Sequence, residues 1–185
     1  MFKVIDNFLE DKDFQVIKNT LLFNKGFDWY FNNGIIKNNQ QGNLHFFQFT
    51  HFLYKDAVRI SKLEPEDKIK EIKGLDTINV GTKFFNICNP ILKKLGVKYL
   101  VRIKINLNVF SPQLVEGGFH RDYENDCKAA VFYVNTNNGY TKFKKNNKII
   151  NSVENRMLMF KANELHTGTN TTDQKCRIVI NFSYF

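Results

Sequence analysis

Apolar residues recur at helical spacing in the first half of the chain and alternate with polar ones in the second. Residues 10–23, EDKDFQVIKNTLLF, place Phe14, Ile17, Leu21 and Leu22 on one helical face. Residues 83–95, KFFNICNPILKKL, predict a second amphipathic helix, kinked or split at Pro90, with Gly96 as its C-cap. Four β-type runs follow, at 99–110, 128–135, 155–160 and 176–185, separated by turn-rich segments such as NTNNGY and KKNNK. The stretch from Phe27 to Tyr54, dense in aromatics and Asn, resolves into no element, and no internal repeat is present. Helices ahead of short strands predict an α+β fold, an antiparallel sandwich or jelly roll braced by N-terminal helices. At 185 residues the chain reads as one domain, with 1–98 a helical and mixed support region and 99–185 the β core.

The two longest β-type runs carry a further asymmetry. Side chains alternate along a strand, so Ile178, Ile180, Phe182 and Tyr184 share one face, and Arg177, Val179, Asn181 and Ser183 the other. Residues 101–109 split in the same way, Val101, Ile103, Ile105, Leu107 and Val109 against Arg102, Lys104, Asn106 and Asn108. One face packs under the helices. The other turns inward, where an unpaired guanidinium is costly, so either that face is open to water or Arg177 meets a buried anion. Two strands with one polar face each point to a wet, ligand-holding interior.

Composition narrows the class without naming a function. With 43% hydrophobic residues, 19 Phe among them, the chain folds rather than staying disordered. No apolar run approaches the ~18 residues of a membrane span, and the acidic N-terminus, MFKVIDNFLEDKDF, is unlike a signal peptide. Three cysteines without a CxxC spacing fit a reducing compartment. Together these predict a cytoplasmic protein with no membrane contact. The net charge of +9 rests on 22 Lys against 5 Arg, spread along a chain also rich in Asn and Ile. That pattern reads as compositional bias before it reads as a polyanion surface.

The chemistry concentrates in GGFHRDYEND, residues 117–126, where His120 and Asp122 stand two apart behind a pair of glycines. On a strand or its end both side chains point the same way, so they could grip one ion. His166, in NELHTG, is the candidate third ligand, completing the two-His, one-carboxylate face that suits non-haem Fe(II). Arg177 follows eleven residues later on the last strand. His45 and His51 have no carboxylate at ligand spacing and read as structural.

In order along the chain, FHRD (119–122), FYVNTNNGYTKF (132–143), NELHTG (163–168) and RIVINFSYF (177–185) resemble the Fe(II)/2-oxoglutarate-dependent oxygenases. The prolyl-4-hydroxylase-like branch, with its compact bacterial and phage members, is the most similar. The resemblance covers residues 99–185, and the first half only in its helix-first layout. It implies a double-stranded β-helix (jelly-roll) core, and Fe(II), 2-oxoglutarate and O2 as cofactors, with ascorbate a candidate reductant. It also implies that His120, Asp122 and His166 bind iron and that Arg177 pairs with the distal carboxylate of 2-oxoglutarate. Tyr133 and Thr141 fall where the family lines the co-substrate pocket.

This sequence departs from the family pattern in three places. Phe110 stands where a Tyr is frequent, leaving Asn106 or Asn108 to supply a polar contact; the His166-to-Arg177 spacing is slightly long; and Asn138–Gly139 replaces a common Gly-Gly.

The implied activity is hydroxylation, with a prolyl residue in a peptide or protein as first substrate, a nucleic-acid base (oxidative demethylation) second and a small metabolite third. Two readings of other kinds use the same residues: a zinc hydrolase or cupin-like enzyme, since Zn²⁺ accepts the same ligands, and a non-catalytic jelly-roll binding module. The aromatic stretch 27–54 is the expected remaining wall of the cavity, with Trp29 and Tyr30 expected at the surface.

Overall fold

The computed structural model describes residues 2–34, 47–56, 83–124 and 126–185. Seven antiparallel strands form the major sheet. From the first half come β1 (Lys3–Ile5), β2 (Tyr30–Asn32) and β3 (Gln48–Lys55). The second half supplies β4 (Leu100–Val109), β5 (Lys128–Tyr133), β8 (Arg156–Lys161) and β10 (Cys176–Tyr184). Their order is β1-β8-β5-β10-β4-β3-β2. The minor sheet runs β7 (Ile149–Asn151), β6 (Tyr140–Phe143) and β9 (His166–Gly168) in the order β7-β6-β9. The two sheets face each other as a jelly roll.

The helices cover the outer face of the major sheet. In α1 (Asp11–Leu22), Phe14, Ile17 and Leu21 are buried at the expected helical spacing, and Asp11 and Asp13 meet the positive end of the helix dipole. The expected second helix is split as Pro90 dictates. A 3-10 turn at Phe85–Cys88 leads into α2 (Asn89–Leu95), with the proline in the first turn, where its missing N–H costs nothing. Gly96 closes α2 in the left-handed conformation, φ 65°. Phe14, Ile17 and Ile91 pack against Ile103, Ile105, Ile178, Ile180 and Phe182 in one apolar layer. A second layer, between the sheets, holds Val131, Tyr133, Phe143, Leu158, Phe160 and Val179.

The face assignment holds along β10 and fails at one residue of β4. A bulge in the β10–β4 pairing sets Ser183 opposite Arg102 but Tyr184 opposite Leu100, leaving Val101 as the extra residue. Val101 therefore joins the layer between the sheets rather than the helix-side layer with Ile103.

Two strands of the minor sheet were hidden among turn signals. KKNNK supplies only the turn between β6 and β7, with Asn147 in the left-handed region, φ 53°. The first half gives more than helices, since β1 and β2 form the two edges of the major sheet. In the aromatic stretch, His45 and Phe46 lie outside the described residues. Trp29 is half-buried, tilted against Phe27 at 4.9 Å and packed on the helix-side core, contrary to the expected exposure, while Tyr30 is 60% exposed. His51 is structural, its Nδ1 2.6 Å from the Asp28 carbonyl and its ring between Phe27 and Phe84.

Candidate metal centre and co-substrate pocket

The segment 116–122 runs beside β9 almost as a further strand of the minor sheet. His120 and His166 exchange backbone hydrogen bonds of 2.9 Å in each direction, and the Gly117 N–H donates to the Gly168 carbonyl at 2.8 Å. Gly118 makes the turn into this run at φ 89°, a conformation that favours glycine. The Asp122 N–H donates to Ala162 O at 2.9 Å, fixing the far end. Opposed residues of an antiparallel pair sit on one face, so His120 and His166 stand side by side, ring centroids 4.6 Å apart. Asp122 joins them two residues along. One ligand atom from each of the three lies within 4.8 Å of the others, the spacing a single ion needs.

Local hydrogen bonds orient both imidazoles. His166 Nδ1 lies 2.9 Å from Glu164 O, and His120 Nδ1 lies 3.3 Å from Gly118 O. A carbonyl can only accept, so Nδ1 carries the proton and Nε2 is left as the ligand. Burial lowers the pKa of His120, and His166 beside it lowers it further, which keeps the ring neutral and able to coordinate. The Arg102 Nη2 donates to Asp122 Oδ1 at 2.7 Å. Burial alone would raise that carboxyl, but Arg102 and the two histidines hold it down at about 2. Asp122 is thus an ionised carboxylate fixed by Arg102.

Across the interior, Arg177 is 2% exposed and has no carboxylate partner among the described residues. Its Nε donates to Ser152 Oγ at 2.8 Å, Nη1 to Thr169 O at 3.3 Å and Nη2 to Thr141 Oγ1 at 3.3 Å. The guanidinium lies 5.6 Å from the Tyr133 ring centre, and the Tyr133 hydroxyl donates to Thr141 Oγ1 at 2.8 Å. A guanidinium has five donor hydrogens, so donors remain for a ligand. Burial lowers the Arg177 pKa, a cost that a bound anion would offset.

One cavity joins the two groups. His120, His166, Thr141, Asn106, Asn108 and Arg177 line it, with Gln48, Gly168 and Asn181 among the rest of its wall. Every residue expected at the metal or co-substrate site is at this cavity or beside it, Tyr133 under Arg177 and Asp122 completing the triad, whereas of the aromatic stretch expected as its wall only Gln48 lines it among the described residues. Asn106 Oδ1 is buried without a partner among the described residues. Phe110 is 51% exposed and does not line the cavity. Gly139 is required by space, because a Cβ there would lie 2.5 Å from Arg177 Cδ.

Sequence reading missed Gln48 and Ser152 as parts of this site, and placed Arg102 on the inward face without pairing it with Asp122. Gln48 and Thr50 are buried polar residues alternating with Phe49 on β3, a period-two signal masked by surrounding aromatics. Ser152 carried no signal at all.

Three solved structures align over nearly the whole chain. An oxidoreductase of the 2OG-Fe(II) oxygenase family from Burkholderia pseudomallei gives a TM-score of 0.58 at 11% identity, covering 99% of this chain and 84% of that one. A prolyl-4-hydroxylase from Pseudomonas putida gives 0.55 at 10% identity, over 99% and 91%. A prolyl hydroxylase from Trichoplax adhaerens, solved with a peptide fragment of the hypoxia inducible factor oxygen degradation domain, gives 0.54 at 16%, over 100% and 83%. The chain has the fold of the 2-oxoglutarate/Fe(II) oxygenases. No family model and no curated protein sequence matches it. The likeness to the 2-oxoglutarate/Fe(II) oxygenase fold is carried by backbone shape, with few shared residues.

Proposed function

We propose that this protein is an Fe(II)- and 2-oxoglutarate-dependent dioxygenase that hydroxylates a prolyl residue in a peptide or protein. The observation that carries the reading is one cavity with the His-Asp-His triad at one end and, at the other, a buried arginine with no carboxylate partner among the described residues. The donor set fits the ion: two imidazoles and one ionised carboxylate on one face would leave positions open for a chelating co-substrate and O2. Zn²⁺ would accept the same ligands, but a hydrolase has no use for the buried Arg177. A binding module would need neither.

His120 Nε2, His166 Nε2 and Asp122 would hold the metal. Arg177, with Thr141 and Tyr133 fixing its plane, would take the far carboxylate of 2-oxoglutarate. Asn106 and Asn108 offer polar contacts between these ends. When bound, iron and co-substrate together supply an oxidant that inserts one oxygen atom into a substrate C–H bond, while 2-oxoglutarate becomes succinate and CO2. The chain's own contribution is position and exclusion of water.

A prolyl substrate is supported by the peptide-bound Trichoplax adhaerens structure among the similar folds. Oxidative demethylation of a nucleic acid is the second reading, favoured by the net charge of +9. Prolyl peptides and methylated oligonucleotides, offered separately with iron and 2-oxoglutarate, distinguish them. A mass gain of one oxygen on the peptide, absent with Asp122→Ala, supports the proposal. Demethylation without peptide oxidation would replace it.

A further inference from the structure

Beyond the triad from Arg177, the inward face of the major sheet is divided by charge. Strand pairing sets Lys55 beside Arg102, Arg102 beside Ser183, Ser183 beside Ala129 and Ala129 beside Phe160 in one row across the major sheet. At one end of that row Lys104 and Lys55 both hold their ammonium groups over the Phe52 ring, at 5.6 and 5.8 Å. Arg102 sits between them and Asp122. At the other end Phe160, Phe143 and Phe2 line a cleft of about 460 Å³, edged by Lys145 and Glu164. The His166 ring lies 4.7 Å from Phe160 and 6.3 Å from Phe143, so the metal ligands stand between the two halves.

Charge balance shows what the cationic half lacks. With the site loaded, the ion's two charges are matched by Asp122 and the chelating carboxylate of 2-oxoglutarate, and Arg177 by the distal carboxylate. Lys55 and Lys104 then make no salt bridge among the described residues, and Arg102 shares Asp122 with the metal. Burial, with Arg102 alongside, pushes the Lys104 ammonium down to about 8, against the smaller opposing pull of Asp122. Ser183 Oγ and Arg102 Nε, in the same row, are both buried without a hydrogen-bond partner among the described residues. The row has a phenylalanine at one end and unmatched donors at the other.

We infer that the substrate is an acidic prolyl peptide. Its ring lies in the phenylalanine cleft, and a carboxylate a few residues away is held by Lys55 and Lys104. This inference rests on the prolyl-hydroxylase reading and adds the identity of the flanking residues. Three strand spacings separate Phe160 from Arg102, roughly 14 Å along the sheet. An extended peptide covers that in about four residues.

The test is binding of three labelled peptides, Ala-Ala-Pro-Ala-Ala-Asp-Asp, Ala-Ala-Pro-Ala-Ala-Ala-Ala and Ala-Ala-Pro-Ala-Ala-Lys-Lys, to protein holding Mn(II) and 2-oxoglutarate under argon. Fluorescence anisotropy is the readout. The acidic peptide should bind roughly ten- to hundredfold more tightly than the neutral one, and the basic one most weakly. Lys55→Met with Lys104→Met should abolish most of that preference while leaving neutral-peptide binding unchanged. Phe2→Ala should weaken all three peptides alike. Equal affinities, or a preference surviving the double lysine change, overturns the inference, as does tighter binding of a short oligothymidylate than of the acidic peptide. The anaerobic visible band with Fe(II) and 2-oxoglutarate is recorded on the same variants. Its absence from the wild type would overturn the oxygenase reading, whereas its presence with equal peptide affinities overturns the charge inference alone.

Discussion

Replacing Gly139 with alanine adds one methyl group where the interior has no room for it. The new Cβ would fall within the contact distance of Asn170 O, 2.5 Å from Arg177 Cδ and 2.8 Å from Asn137 Oδ1. Two of these are neighbours that cannot swing away cheaply: a backbone carbonyl, and the stem of an arginine held by Ser152, Thr169 and Thr141. Separation to ordinary contact requires a shift of about 1 Å, and overpacking of this kind costs about 1–3 kcal/mol. For a domain of this size that lowers Tm by roughly 2–12 °C. The displaced guanidinium would also lose alignment with the 2-oxoglutarate carboxylate, a charge-assisted pairing worth about 1.5–3 kcal/mol, so co-substrate affinity falls roughly ten- to hundredfold. Gly26→Ala is the control, since its nearest neighbour is the exposed Asn24 Oδ1 at 3.3 Å. Differential scanning fluorimetry reads the first effect and anaerobic 2-oxoglutarate titration the second. A Gly139→Ala protein with unchanged Tm and unchanged co-substrate affinity would refute the packing argument and the place given to Arg177.

His166→Ala should lose Fe(II) affinity while keeping the native circular dichroism spectrum, because the strands do not depend on the ion; undiminished iron binding would mean the third ligand is misassigned. Arg177→Lys keeps the charge but loses the two-pronged pairing, and should raise the apparent 2-oxoglutarate constant, with Arg177→Leu worse. An unchanged constant in both would move that role to another basic residue. Arg102→Met leaves Asp122 buried without its partner, so the metal-free protein should lose about 3–5 kcal/mol. Added metal supplies a counter-charge, so Fe(II) should raise the Tm of this variant more than that of the wild type. Equal metal-induced shifts would show that Arg102 does not hold the carboxylate.

Much of the site was legible because its residues obey short-range rules. His120 and Asp122 two apart, and polar residues alternating along 102–108 and 177–183, place themselves on one face by strand geometry alone. Pro90 and Gly96 marked the start and end of α2 by their backbone limits. What sequence could not give depended on partners distant in the chain. The bulge that turns Val101 inward exists only in the pairing of β4 with β10. Ser152 reaches Arg177 from 25 residues away. The three-residue strands β7 and β9 are too short to show alternation, and the backbone of 116–122 locks His120 to His166 across 46 residues. Trp29 looked exposed beside an Asn-Gly turn, yet Phe27 and the helix-side core cover it.

The central claim is that one cavity holds Fe(II) through His120, Asp122 and His166, and 2-oxoglutarate against Arg177. Titration of the metal-free protein with Fe(II) and 2-oxoglutarate without oxygen, followed by visible absorption, tests it most directly. A metal-to-ligand charge-transfer band should appear only when both are present. It should vanish in Asp122→Ala, and in Arg177→Leu it should require more 2-oxoglutarate. No band in the wild type at saturating iron and co-substrate would contradict the account.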